Sequence, residues 1–109
     1  MKAIINGTRY DTEKAELIGE TDNLGHGADS TRDFQYWSAG LYTTPRSGRY
    51  FLAGEGGARS MWARSAGQRS WTGGEGIKPL TEAAAFEWAQ QELSTEVVEQ
   101  HFSHLIVEA

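Results

Sequence analysis

Residues 41–52 read LYTTPRSGRYFL, two runs of β-formers around a turn. Tyr42, Thr43 and Thr44 favour extended backbone, as do Tyr50, Phe51 and Leu52. Between them, Pro45-Arg46-Ser47-Gly48 is a four-residue turn. Proline presets φ, and Gly48 can take the left-handed conformation that closes the loop. Counting outward pairs Thr44 with Arg49, Thr43 with Tyr50, Tyr42 with Phe51 and Leu41 with Leu52. Tyr42 and Phe51 then share one face, and Leu41, Leu52, Thr43 and Tyr50 the other. Apolar bulk on both faces marks the interior pair of a partly covered sheet.

Downstream lie Gly54-Glu55-Gly56-Gly57 and Gly73-Gly74-Glu75-Gly76. A glycine loop cradles phosphate when it feeds a helix amino terminus within a βαβ unit. Neither stretch has that context or a following Walker lysine, so both read as strand ends, bulges or tight turns. Residues 59–64 read as a strand or an irregular crossing, and 68–72 as a further strand. Residues 76–80 are extended, because Pro79 disfavours a helical Lys78. Thr81 caps a helix over 82–93, with Ala85, Phe86, Ala89 and Leu93 on one stripe, Trp88 at its edge and Glu87 and Gln91 opposite. Ser94 or Thr95 caps a last helix near 95–103, where Val98, Phe102 and Leu105 are spaced to pack.

Upstream, Lys2–Ile5 is a short strand, Asn6-Gly7 a two-residue hairpin turn and Thr8–Tyr10 its return. Asp11 reads as the N-cap of a short helix over 12–18 that ends at Gly19. Residues 21–33 are polar and glycine-bearing, hence a loop, with His26 in solvent. Residues 34–40 are extended and run into the central hairpin. The expected architecture is α+β in a single domain, residues 1–109. It is an antiparallel sheet of about four to five strands with two to three helices, the main one packed on one face with Phe86 and Leu93 buried. The chain has no cysteine, so it can form neither a disulfide nor a thiolate metal site. No apolar run has the length of a signal peptide or a membrane span. The expectation is a soluble monomer or homodimer of the cytoplasm.

No nucleophile elbow, HExxH or P-loop is present, so no catalytic residue, enzyme activity or cofactor is assigned. Glu55 and Glu75 become an acid/base pair only if their two loops meet at one end of the sheet. His101 and His104 are three apart but have no third ligand by spacing, so no metal is expected. The charge is blocky. Residues 1–33 carry four Lys/Arg against seven Asp/Glu, residues 34–78 six against two, and residues 79–109 six glutamates and no Lys/Arg. In the basic block, Arg46, Arg49, Arg59, Arg64 and Arg69 interleave with Trp62 and Trp71. Such residues contact phosphates and stack on bases, or anchor a protein interface. They can equally pair internally with the acidic helices.

A wider pattern runs through residues 10–90. It comprises Tyr10–Ala15, Leu41–Thr44, Gly48–Leu52, Gly54–Gly57, Trp71, Gly73–Glu75, Ile77, Pro79–Thr81 and Glu87–Ala89. It resembles a family of small proteins of bacterial genomes and mobile elements that has no assigned activity; Ala58 and Arg59 depart from its pattern. In size, acidity and lack of enzyme motifs the chain is similar to anti-CRISPR proteins of phages and plasmids. That likeness implies an inhibitor that binds a bacterial defence complex, a CRISPR effector, in the host cytoplasm. Glu82, Glu87, Glu92, Glu96 and Glu99 would then dock in a basic channel by charge complementarity. The alternatives are a nucleic-acid-binding accessory protein that uses the basic segment, and a small enzyme with an unrecognised site.

Overall fold

The register expected for the central hairpin is the register found: Thr44 opposes Arg49, Thr43 Tyr50, Tyr42 Phe51 and Leu41 Leu52. Gly48 has φ +65°, and its N–H donates to the Thr44 carbonyl at 2.8 Å. The computed structural model describes residues 1–109. In chain order the strands are β1 (Lys2–Ile5), β2 (Thr8–Asp11), β3 (Glu16–Asp22), β4 (Trp37–Thr44), β5 (Arg49–Gly56), β6 (Arg64–Gly67), β7 (Ser70–Thr72) and β8 (Gly74–Leu80). Helices α1 (Glu82–Glu92) and α2 (Thr95–Phe102) follow, then a 3-10 turn at Ser103–Leu105. An antiparallel sheet in the order β3-β4-β5-β8 is flanked by two separate ribbons, β1–β2 and β6–β7. The fold is therefore α+β, with more strands than expected. No helix is long and apolar enough to cross a membrane.

Both helices close on one face of the sheet. Thr81 accepts the Ala84 N–H at 3.1 Å and Ser94 the Val97 N–H at 3.3 Å, so each helix starts at a side-chain cap. Ala85 and Ala89 of α1 and Val98 and Phe102 of α2 face Leu41, Leu52 and Tyr50. The Phe102 ring stacks on Tyr50 and tilts against Phe86, both at 5.5 Å between centroids. Phe86 and Leu93 pack on this core but remain half-exposed, because Phe102 occupies its centre.

The opposite face is smaller. The β1–β2 ribbon turns at Asn6 and Gly7, both with positive φ, as the Asn-Gly pair predicts. It lays Tyr10 edge-on to Phe51 at 5.4 Å, and Tyr42 stacks on Phe51 at 5.3 Å.

Two segments differ from expectation, residues 12–18 and residues 34–36. Residues 12–18 do not form a helix. Asp11 accepts the Glu13 N–H in a tight turn, and the chain then enters β3 and buries Ile18 against the helices. A seven-residue helix is marginal by itself, and pairing with β4 supplies more hydrogen bonds and burial. Gly19 sits in β3 just past a register shift, where an added Cβ would lie 3.0 Å from the Leu93 methyls. It is needed for the close approach of α1 and does not end a helix.

The glycine-rich stretches are strand ends, as expected: Gly54–Gly56 close β5 and Gly74–Gly76 open β8. The segment between them crosses the helix-bearing face irregularly and lays the Trp62 indole over Gly54 and Gly76. A Cβ on Gly54 would come within 2.8 Å of that ring. The Lys78 ammonium lies 5.3 Å from the ring centroid.

Candidate binding surfaces

The seven residues singled out in the basic block do not form one patch. Arg46 and Arg49 belong to the tip of the central hairpin, whereas Arg59, Arg64 and Trp71 lie toward the other end of β5. Eight residues of strand separate those ends by roughly 25 Å. Trp62 is no surface anchor: at 4% exposure it is core, and its Nε1 has no hydrogen-bond partner. The glycine-paved strands beneath it create the slot it fills.

Trp71 is the opposite case, at 62% exposure. It belongs to the β6–β7 ribbon, every residue of which is exposed. The ribbon pairs Arg64 with Thr72 and Ser65 with Trp71, and Arg69 stands in its turn with φ +58°. Arg64 roots the ribbon on the sheet by donating from Nη2 to the Glu75 carbonyl at 2.6 Å.

Two exposed apolar residues near this end, Phe34 and Met61, were missed by the sequence reading. Phe34 was assigned to a strand, but residues 30–36 form turns. Asp33 organises them, accepting the N–H of Gln35 at 2.8 Å and of Asp29 at 3.2 Å. Those two bonds, with help from nearby Arg59, hold the Asp33 carboxyl below its usual range. The Ser-Thr-Arg-Asp run before Phe34 was the available signal for a turn.

The five glutamates of the helices also divide. Glu82 is engaged: its Oε2 lies 3.0 Å from His104 Nε2 and 3.5 Å from the Tyr50 hydroxyl. Burial, then the charge and hydrogen bond of Glu82, push the Tyr50 hydroxyl pKa up. Glu92 falls on the sheet side of α1 and is half-buried; with Asp22, His26 and Trp37 it lines a cavity of about 520 Å³. Glu87, Glu96 and Glu99 are exposed and lie on the turns away from the buried stripes.

The one ion pair in the structure is His104 with Glu82. No arginine or lysine pairs with a carboxylate, so the reading in which the basic segment neutralises the acidic helices is set aside. The two blocks occupy different parts of the fold, and both present uncompensated charge.

Glu55 and Glu75 do converge. They are directly opposed between β5 and β8, and Ser38 and Asp22 continue the same row across β4 and β3. Directly opposed residues place their Cβ atoms about 4.5–5.5 Å apart. The pair lines a cleft of about 410 Å³ with Thr31 and Tyr36. Neither carboxylate is in an ion pair, and no three His, Asp or Glu side chains are grouped to hold a metal.

No family model, curated protein or solved structure matches the chain.

Proposed function

We propose that this protein is a non-catalytic inhibitor that docks the outer faces of α1 and α2 on a basic nucleic-acid channel of a bacterial defence complex, a CRISPR effector. The observation that carries the reading is the uncompensated acidity of the helical layer. Residues 79–109 hold six glutamates and no Lys/Arg, and Glu87, Glu96 and Glu99 point outward without an ionic partner. Such a surface is drawn to a positive groove and competes there with phosphates. The choice of a CRISPR effector rests on the likeness in size, acidity and lack of enzyme motifs to anti-CRISPR proteins, an argument by analogy.

The test is the triple charge reversal Glu87→Lys, Glu96→Lys and Glu99→Lys, which spares Glu82 and the half-buried Glu92. Association with a purified effector at low salt should slow by roughly tenfold or more, and its salt dependence should flatten. Unchanged inhibition by a folded triple variant rejects the acidic-face mechanism.

A further inference from the structure

We infer that the β6–β7 ribbon is a binding site for single-stranded nucleic acid, with Trp71 as a stacking platform for a base and Arg69 and Arg64 as phosphate contacts. This goes beyond the inhibitor reading and does not depend on it, since the ribbon and the acidic helices are separate surfaces.

The ribbon contributes nothing to the core, as all of its strand residues are exposed. An indole left 62% exposed there forgoes burial that the sheet gives Trp62 a few residues earlier. Its surroundings favour a nucleic acid over a protein. Protein hot spots are ringed by contacts that exclude water. Around Trp71 the ribbon offers Ser65, Gln68, Ser70 and Thr72, which are small or polar, and the indole stays 62% exposed among them. A base needs only an open π-face and nearby cations.

The charge is complementary. Residues 56–74 contain Arg59, Arg64 and Arg69 and no carboxylate, and none of these arginines is in an ion pair. Arg69 is two residues from Trp71. Arg64 is held at the root by the Glu75 carbonyl and keeps its other N–H groups free of protein partners. A second exposed ring and arginine stand in the adjoining loops: Phe34 is 66% exposed, and its carbonyl accepts the backbone N–H of Arg59 at 2.8 Å.

A duplex hides its base faces, so Trp71 selects unpaired strands. The opposed Glu55 and Glu75 lie in the strands beside the ribbon's base, the Asp33 carboxyl lies near Arg59, and the chain is acidic overall. Binding is therefore confined to a few nucleotides and is sensitive to salt.

The experiment is fluorescence anisotropy of labelled oligo-dT and oligo-rU of about twelve nucleotides, within the site sizes of stacking platforms. At low salt the full chain should bind saturably. The logarithm of affinity should fall with log salt at a slope of about −1.4 to −2, the signature of two or three phosphates on a single strand. Trp71→Ala should weaken binding roughly tenfold or more. Arg69→Asn, which tolerates the positive φ, should flatten the slope by about 0.7. The Glu87→Lys, Glu96→Lys, Glu99→Lys triple variant should bind at least as tightly as the parent. The inference is overturned by absence of binding to both strands at low salt, by equal binding of Trp71→Ala, or by equally tight binding of a duplex. Capture of a host protein that depends on Trp71, without oligonucleotide binding, overturns it too and assigns the ribbon to a protein partner.

Discussion

Trp62 and Trp71 stand nine positions apart in the chain and meet opposite fates. The first is sealed between the sheet and the crossing segment; the second rides an outlying ribbon in water. Around Trp62 the sheet has given up a side chain at Gly54, where a Cβ would come within 2.8 Å of the indole. Around Trp71 nothing has been shaped to receive it. A small domain has few apolar residues to spend on burial, and here the helix-bearing face takes most of them. The ribbon's residues are thereby released from folding and left available for binding.

The contrast is open to direct measurement, and the largest effect belongs to the helical face. Phe102 is fully buried against Tyr50 and Phe86. Phe102→Ala should lower the unfolding free energy by roughly 3–5 kcal/mol, read from denaturant midpoints. The half-exposed Phe86 should lose visibly less when truncated to alanine, and equal losses would show that the core is centred elsewhere.

A smaller effect tests the Trp62 slot. Gly54→Ala places a methyl group against the indole and the Ser38 carbonyl, and should cost about 1–3 kcal/mol by overpacking. The buried tryptophan's emission should shift red as the ring is displaced. A neutral Gly54→Ala would mean that the slot has slack.

The smallest effect is expected at the ribbon. Trp71→Ala should leave stability within about 0.5 kcal/mol of the parent, as surface substitutions do. A loss comparable to that of Phe102→Ala would show that the ribbon is structural after all.

Much of the scaffold was legible because its signals are local. Asn6-Gly7 and the Pro45–Gly48 turn each prescribe their own backbone, and strand alternation then sets the pairing of Leu41–Thr44 with Arg49–Leu52. Thr81 and Ser94 cap helices through hydrogen bonds that span three residues. The acidity of the last thirty-odd residues is likewise plain in the sequence.

Residues 12–18 mark where local reasoning ended. Asp11 carries a good N-cap signal, but the segment was claimed by an edge position beside β4, a partner more than twenty residues away. The candidate sites divided for the same reason. Blocks of charge in the chain could not reveal that Glu82 pairs with His104, or that Glu55 and Glu75 stand opposite one another across two strands.

By itself, then, the sequence determined the hairpins, the capped helices, the α+β class and the segregation of charge, since each follows from neighbours within a few positions. Tertiary structure alone decided which tryptophan is core and which is free, that the basic and acidic blocks remain unpaired, and that residues 16–22 are a strand. Those outcomes depend on which distant segments compete for the same face of the sheet, and no short window of sequence contains both competitors.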